Sequence, residues 1–434
     1  MADLSKTFGL FGPLYFTTGR QPQPITDKQR GKLTTLLLVS LAICFSALPA
    51  QAKYEGGTGT TNDPFLIYTA EQMNEIGANP GDWNKDFMLI ADVNMSDIAG
   101  TNYNVIETFT GTFDGNDCTI SNFTLTSTRQ ENTGLFGTVG AGGEIKNLRL
   151  LNPDIFAQGR NVGSLIGYLN HGSITNCRAK GAAVSGGSYV GGLVGSNTGN
   201  ITKCGSTGSV WADQYAGGLV GQLGDGKVTL SYSKASVSGN RNVGGLVGKT
   251  GSEASDVTHC YAAGSVTGSS YVGGLVGQVE RGNAYKSYST GSVSGSQYTG
   301  GLVGYTRALG RVARSFWDTQ TSGQATSAGG TGKTTVQMQL RNTFIPAAWD
   351  FWNTWEICDE MNYPVLQWQI PAADFLCPDG VDFIDFAFFA EHSNQRHCNP
   401  SNNYCDGTDL NHSGLVDSLD LAIFVDDWLE GVSN

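Results

Sequence analysis

One heptapeptide pattern recurs through the middle of this 434-residue chain and limits its fold more than any other feature. The pattern is Gly-Gly-Leu-Val-Gly, or a close variant, preceded by two residues of which the first is Asn or Tyr. Its copies begin at Asn161, Tyr189, Tyr215, Asn242, Tyr271 and Tyr298. The offsets between them are 28, 26, 27, 29 and 27 residues. A unit this short cannot bury its own apolar side, so the repetition predicts a solenoid whose turns pack on one another.

Each repeat contains two more short apolar pieces and no run with helical spacing. One piece carries Ile174, Ile201, Val228 and Val257, and the other carries Val184, Val210, Val237, Val266 and Val293. Gly, Asn and Ser cluster between the pieces, as expected for turns. Three strands of about three to five residues, with corners, account for a turn of this length. The sequence therefore predicts a mainly β fold, a right-handed parallel β-helix with one turn per repeat.

Equivalent inward positions of such a solenoid form ladders, columns of side chains ~4.8 Å apart along the axis. One predicted ladder is Leu165, Leu193, Leu219, Leu246, Leu275 and Leu302. A second, of small side chains, is Cys177, Cys204, Ser231, Cys260, Ser287 and Ser315. Cys177 and Cys204 would then lie on adjacent turns, where they form either a disulfide or a pair of buried free thiols.

Taken together, these pieces resemble a known repeat. The glycine-rich segments, with Ser-Ile-Thr-Asn-Cys at 173–177 and Gly-Ser-Val-Ser-Gly at 291–295, resemble the GLUG repeat of bacterial secreted and surface proteins. Residues 109–125 resemble the turn that precedes such repeats, and 315–339 resembles the segment that follows them. The resemblance covers roughly residues 60–370. It implies a β-solenoid with a display or adhesive role, and it does not imply a catalytic site.

The solenoid sequence offers little for catalysis or nucleotide binding. Its acids between residues 160 and 310 are Asp213, Asp225, Glu253, Asp256 and Glu280. No two of them share a column on neighbouring turns, whereas polysaccharide cleavage needs carboxylates close together. The segment 329–335 resembles a phosphate-binding loop but has Ser327 where the first glycine is required. The formal net charge of −12 argues against a nucleic-acid partner.

Aromatic residues suggest two further features. Tyr189, Tyr215, Tyr271 and Tyr298 share one column, where they either form an exposed stripe that grips sugar rings or only cover corners. Trp349, Trp352, Trp355 and Trp368 are predicted to cap the open end of the solenoid.

The N-terminus has the form of a secretory signal peptide. Lys28, Arg30 and Lys32 precede an apolar run over 33–48, and the small-x-small pattern over 50–52 predicts cleavage after residue 52. The alternative is a transmembrane anchor, but the run is short and ends at a proline. The protein is therefore expected to be secreted or at the cell surface, without a transmembrane segment after cleavage. The cysteines that remain would be in an oxidising compartment.

The acidic excess lies at the C-terminus, where residues 371–434 hold twelve Asp or Glu and one base, Arg396. The sequence 409–420 has the spacing of a calcium loop. The predicted ligands are Asp409, Asn411, Ser413, the carbonyl of Leu415, Asp417 and Asp420. Gly414 permits the sharp turn, and a solvated acidic turn is the alternative. Val416 is predicted to anchor the loop, and Leu421, Phe424, Val425 and Trp428 to form one side of the helix that follows.

A second, degenerate copy of this loop precedes the first. Residues 381–392 align without a gap to 416–427, which places Asp374, Asp382 and Asp385 at loop positions 1, 9 and 12. Positions 3 and 5 are Leu376 and Pro378, which are poor ligands, and Asp379 is predicted to serve instead.

Two loop–helix units without entering helices resemble a type I dockerin over residues 371–434. Dockerins bind cohesin modules through loop positions 10 and 11, which are often Ser or Thr. Here these positions are Ser418-Leu419 and Phe383-Ile384, which depart from that pattern. The resemblance implies calcium as the cofactor and a cohesin-like or other cell-surface protein as the partner.

The expected organisation has five parts. These are a signal peptide (1–52), an N-terminal cap with first turns (53–132), a GLUG-repeat solenoid (133–318), a C-terminal cap segment (319–370) and a dockerin-like module (371–434). The predicted function is a non-enzymatic surface or adhesion protein that is attached through calcium-dependent contacts. The alternative is a carbohydrate-active β-helix that binds or degrades polysaccharide and is carried by the dockerin.

Overall fold

A computed structural model describes residues 53–428 and confirms the predicted mainly β, parallel solenoid with small C-terminal helices. Two parallel sheets of 16 strands each run along the solenoid, and a two-stranded antiparallel sheet lies beyond it. The predicted signal peptide falls outside the described residues. Within those residues, no helix combines the length and the apolar character needed to cross a bilayer.

The strands, β1 to β34 in chain order, are short in the N-terminal turns and fuse into longer ones in the repeats. Their bounds are Phe65–Ile67, Phe87–Leu89, Val93–Asn94, Ile106–Phe109, Thr112–Asp114, Thr119–Ser121, Thr124–Ser127, Glu131–Thr133, Phe136–Val139, Glu144–Lys146, Arg149–Leu151, Asp154–Gly163, Ile166–Leu169, Ser173–Thr175, Arg178–Gly191, Val194–Asn197, Asn200–Thr202, Gly205–Gly217, Val220–Leu223, Lys227–Thr229, Tyr232–Ser233, Ser236–Gly244, Val247–Thr250, Asp256–Thr258, Tyr261–Ala262, Val266–Gly273, Val276–Tyr285, Tyr288–Ser289, Val293–Gly300, Val303–Ala313, Phe316–Asp318, Thr331–Lys333, Trp355–Glu356 and Val365–Leu366.

The helices lie outside the repeats. They are α1 (Ala70–Ala78), α2 (Thr335–Met338), α3 (Arg341–Phe344), α4 (Phe383–His392), α5 (Asn403–Asp406) and α6 (Ser418–Asp426). Helix α1 begins where the Thr69 hydroxyl accepts a hydrogen bond from the Gln72 backbone N–H at 3.3 Å.

The predicted ladders form the core. The leucine column, fully buried throughout, is joined turn to turn by backbone hydrogen bonds of 2.8–3.1 Å, as between the Leu275 N–H and the Leu302 carbonyl. The valine column pairs in direct register, as at Val210 and Val237. Burying one such side chain on every turn is worth roughly 1.5–3 kcal/mol each, so stability accumulates along the axis.

Each repeat turns two corners with a residue in the left-handed backbone region. One column of such residues is Asn132, Asn161, Tyr189, Tyr215, Asn242, Tyr271 and Tyr298, with φ between 52° and 62°. The other is Asn147, Asn176, Lys203, Leu230, His259, Lys286 and Arg314, with φ between 46° and 54°. Asn tolerates this conformation better than other non-glycine residues, and the Asn176 amide donates to the Asn147 side-chain oxygen at 3.0 Å.

The tyrosine column is broken rather than continuous. Tyr189 stacks on Tyr215 with ring centroids 4.7 Å apart, and Tyr271 stacks on Tyr298 at 5.0 Å. Asn242, which is buried, separates the two pairs. The aromatic surface along this corner therefore consists of two separate patches.

The small-side-chain ladder keeps its cysteines as free thiols. Cys177, Cys204 and Cys260 are buried and unpaired, and Cys118 is a partly exposed free thiol in an earlier turn. Burial raises the pKa of the Cys260 thiol to about 12 and that of Cys177 well above its ordinary value. Of the two alternatives open for Cys177 and Cys204, the structure has the free thiols.

We expect iodoacetamide at pH 8 to modify Cys118 in the folded protein and to spare Cys177, Cys204 and Cys260 by roughly a thousandfold in rate, because their reaction requires opening of the turns. Peptide mass mapping before and after denaturation checks this. In denaturant without reductant, all four should react. A Cys177–Cys204 pair that resists alkylation under those conditions would show a disulfide instead.

The predicted tryptophan cap lies along the side of the solenoid rather than over its open end. Trp368, Trp355 and Trp349 donate indole hydrogen bonds to Leu230, His259 and Arg314, which are corner residues of different turns, at 2.9, 3.1 and 2.9 Å. The open end is covered by 322–331, whose backbone hydrogen-bonds to the last repeat, as from the Gly301 N–H to the Thr326 carbonyl. Trp352 takes no part in the packing, since it is 89% exposed.

Candidate calcium-binding loops

The C-terminal residues contain two loop–helix units of the same length. The loop over 374–385 runs into α4, and the loop over 409–420 runs into α6. Each helix begins with an aspartate cap: Asp382 accepts from the Ile384 N–H at 2.7 Å, and Asp417 accepts from the Leu419 N–H at 2.8 Å. The loops thus end in equivalent local structures.

In the second loop, both terminal carboxylates are buried and point inward. Asp409 accepts from the Ser413 N–H and the Gly414 N–H, both at 2.9 Å. Asp420 accepts from the Asn411 N–H at 3.0 Å and from the Asp417 N–H at 2.8 Å. Gly414 has φ of 91°, so the predicted glycine turn is present.

The first loop repeats this arrangement despite its poor ligands at positions 3 and 5. Asp385 is 2% exposed and accepts from the Leu376 N–H at 3.3 Å and the Asp382 N–H at 3.0 Å, as Asp420 does at the equivalent positions. Asp374 accepts from the Gly380 N–H at 3.1 Å. These bonds use backbone donors, so Leu376 and Pro378 do not prevent the loop from adopting the same path.

Electrostatics favours a cation in the first loop. Burial, followed by the charges of Asp385, Asp379 and Asp382, raises the pKa of Asp374 to about 7 although the Gly380 N–H opposes this. Burial and then Asp382 raise the pKa of Asp379. The second oxygen of Asp374 is buried without a hydrogen-bond partner. An unpaired oxygen beside like charges is costly, and a bound cation would relieve that cost.

The side chains are nevertheless not gathered around one point. Across residues 53–428, no three Asp, Glu, His or Cys side chains converge closely enough to hold an ion. The Ser413 hydroxyl donates to the Leu415 carbonyl at 3.1 Å, so these two predicted ligands contact each other. The donor set suits calcium, which accepts hydroxyl, amide and carbonyl oxygens, but its members would have to turn inward to bind.

The module has its own core, with one error in the predicted helix face. Val416 is fully buried, as predicted, and Phe424 packs beside it in the same cluster. Leu421 and Val425 are 37% and 60% exposed, so the prediction that they share the buried side with Phe424 is wrong. Their exposure leaves apolar surface facing solvent.

The apolar residues at loop positions 10 and 11 are also exposed. Phe383, Ile384 and Leu419 are 76%, 61% and 64% exposed. Exposed apolar side chains at equivalent places on two related helices form a candidate contact surface.

Two disulfides hold this region. One joins Cys398 and Cys405 within the module, and the other joins Cys358 to Cys377. The second ties the segment before the module to the first loop. Sequence spacing alone does not identify Cys358 as a partner, because it lies apart from Cys377, Cys398 and Cys405, the three cysteines near the loops.

Three of the acids of the solenoid contact neighbouring side chains. Glu280 pairs with Lys249 and with Arg307, and the Lys249 contact is the first cause of its lowered pKa. Glu253 lies 3.6 Å from Arg281, and Asp256 accepts from a neighbouring threonine hydroxyl at 2.7 Å. These contacts give the acids structural partners on the surface.

Comparison with known proteins finds the repeat. Residues 158–185, 186–210 and 239–267 match the GLUG motif. The chain is 34% identical over 151 residues to halomucin of Haloquadratum walsbyi, covering 32% of this chain and 2% of halomucin. It is 30% identical over 202 residues to a protein of Evansella cellulosilytica provisionally named a Gly-rich membrane protein, covering 37% of this chain and 23% of the relative. The chain thus spans only a small part of either relative.

One solved structure shows a partial likeness to this chain. It is provisionally titled an immunoglobulin A1 protease from Bacteroides ovatus, is 22% identical, and covers 73% of this chain and 96% of its own, with a TM-score of 0.46. Likeness at this level supplies no argument about activity.

Proposed function

We propose that this protein is an exported, non-enzymatic surface or adhesion protein, attached through a dockerin-like module that binds calcium. The observation that supports it best is the equivalence of the two C-terminal loops. In both, a carboxylate at position 12 accepts from the N–H groups of positions 3 and 9. A loop built twice on the same plan is expected for a paired calcium module, and a solvated acidic turn would not need it.

Calcium would be held by the ten predicted ligands and would supply the positive charge that these carboxylates lack. The residues themselves fix the helix starts and keep the loop backbone closed. They also orient α4 and α6, which present Phe383, Ile384 and Leu419. A cohesin-like or other cell-surface protein with an apolar, complementary patch is the proposed partner.

The purified chain should bind envelope fragments of its source cells in calcium and be released by chelator. Asp409→Asn with Asp420→Asn should abolish attachment and remove the part of the gain in melting temperature that calcium binding to the second loop provides, because neutral amides lose the charge that binds the ion. A ligand at one hundred times its Kd stabilises by about 2.7 kcal/mol, which a melting curve resolves easily.

Glu391→Gln is the matched control, since it removes one exposed acid from the same module outside both loops. It should leave attachment and calcium stabilisation unchanged. Melting curves identical in calcium and in chelator would overturn the calcium site, and attachment that persists in chelator would overturn the attachment mechanism.

A further inference from the structure

A groove of about 570 Å³ lies between one face of the solenoid and the C-terminal module. Its floor is formed by strands of successive turns, and its roof includes Pro371, Gly380 and Trp428. This volume is within the usual range of small-ligand sites, about 300–1,000 Å³. The calcium loops border the groove but do not form its floor.

Four cations line the floor in an ordered array. Arg149 and Arg178 are direct partners on adjacent turns, so their backbones are about 4.8 Å apart. Lys180 follows two residues after Arg178 on the same strand, and Lys234 lies two turns farther on. Asp374 is the one acid on the described lining, and its Oδ2 accepts from the Gly380 N–H. In a chain of net charge −12, this surface is locally basic.

The charges of this array are unbalanced. Among residues 53–428, none of the four cations forms an ion pair with a carboxylate. Like charges directly opposite on neighbouring strands destabilise a sheet. The pKa of the Lys234 ammonium is lowered because surrounding protein atoms displace part of its water. A bound anion would offset both costs.

Fixed aromatic rings accompany the cations. The Arg178 guanidinium lies over the Trp368 ring at 4.8 Å, and Trp368 is itself held by its hydrogen bond to Leu230. Tyr232 stacks on Tyr261 at 5.4 Å between ring centroids, and because Tyr261 is only 3% exposed, this pair forms a rigid wall of the groove. Binding groups held in place before the ligand arrives lose little entropy when it binds.

We infer that this groove binds an anionic oligosaccharide whose sugar units carry carboxylates. Cations repeated along the solenoid axis suit a polymer with repeated negative charges, and the polar groups of Thr207 and Gln369 suit the hydroxyl groups of sugar units between those charges. The inference goes beyond the attachment role and does not rest on calcium binding by the loops.

The test is calorimetric titration of the full chain with trigalacturonate, its methyl ester and a short polyglutamate. Calcium is kept below the level at which uronate chains cross-link. We expect the uronate to bind and its neutral ester not to bind. Arg178→Gln and Lys180→Gln should each weaken binding about tenfold or more, as expected for a lost charge-assisted hydrogen bond, and added salt should weaken it further.

Lys227→Gln is the control, because Lys227 is an exposed lysine on the other sheet and does not line the groove. It should bind like the unmodified chain. Equal binding of ester and acid, no binding of the uronate, unchanged affinity in the groove variants with normal melting curves, or preferential binding of polyglutamate would each overturn the inference. Loss of calcium-dependent attachment would leave these titrations intact, so the two proposals fail separately.

Discussion

Replacing Gly217 by Ala should destabilise the solenoid by about 3–5 kcal/mol or prevent its folding. Effects of this size are typical of severe steric clashes and core defects. A Cβ atom at this position would lie 1.9 Å from the Val220 carbonyl oxygen and 2.7 Å from the Gly248 nitrogen. Both are backbone atoms, and Gly248 belongs to the next turn. No side-chain rotation relieves these clashes, so the bend between residues 217 and 220 would have to open and the next turn would have to move away.

The matched control is Gly81→Ala, where an added Cβ has no atom within 4 Å. Its effect should stay within about 0.5 kcal/mol. Urea unfolding followed by circular dichroism compares the two midpoints against the unmodified chain. Indistinguishable midpoints for the two variants would show that the backbone at the glycine-rich segment can move aside freely and would remove the close-packing role of its first glycine.

The repeat period and inward ladders could be predicted because both depend on local pattern alone. The corners could not, since glycine is the usual residue for left-handed backbone and glycine was abundant nearby. In the structure the left-handed corner is occupied by Tyr215, with φ of 62°, whereas Gly217 lies close to the Val220 carbonyl of its own turn and to the Gly248 nitrogen of the next turn. The Tyr215 ring stacks on that of Tyr189 in the adjacent turn, and this packing accompanies the left-handed corner in both residues.

The two C-terminal loops share a backbone path, although their sequences differ in how closely they match a calcium loop. Ligand spacing identifies the acids at positions 1, 9 and 12. Leu376 and Pro378 make the first loop look degenerate in sequence, but they do not change its backbone path in the structure. The path of the first loop depends on Asp385 accepting from backbone N–H groups, which every residue except proline supplies. Side-chain identity at positions 3 and 5 therefore affects ion affinity more than loop shape.

The basic groove escaped sequence analysis for a different reason. Arg149 and Arg178 are 29 positions apart and become neighbours only through the register of the turns. Aligning the repeats and comparing the charged residues at equivalent positions of successive turns would have shown this pair. The roof would still have been missed, because it comes from residues about 200 positions later, which the Cys358–Cys377 disulfide helps to hold in place.

Trp355→Ala should lower the free energy of unfolding by about 3–5 kcal/mol, as is usual when a large buried aromatic side chain is removed. Trp355 is fully buried, and its ring centroid lies 4.6 Å from that of Trp349 and 5.8 Å from that of Tyr288. Its indole N–H donates to His259 Nδ1 at 3.1 Å. Burial lowers the pKa of His259, so the neutral ring that accepts this bond is favoured at pH 7 and would be left without its donor.

Trp352→Ala is the control from the same segment, because its side chain is 89% exposed and its change should stay within about 0.5 kcal/mol. The loss of stability in Trp355→Phe should lie between those of the two alanine variants, since phenylalanine keeps much of the ring packing but cannot donate the hydrogen bond. Thermal melting ranks the three variants, and hydrogen exchange locates the damage. Protection should be lost first over 335–368 while the leucine ladder stays protected, because the tryptophans cover the outer faces of the turns and not their core. Equal loss in both regions would mean that the segment and the solenoid unfold as one unit, with the side packing of Trp355 essential to the turns beneath it.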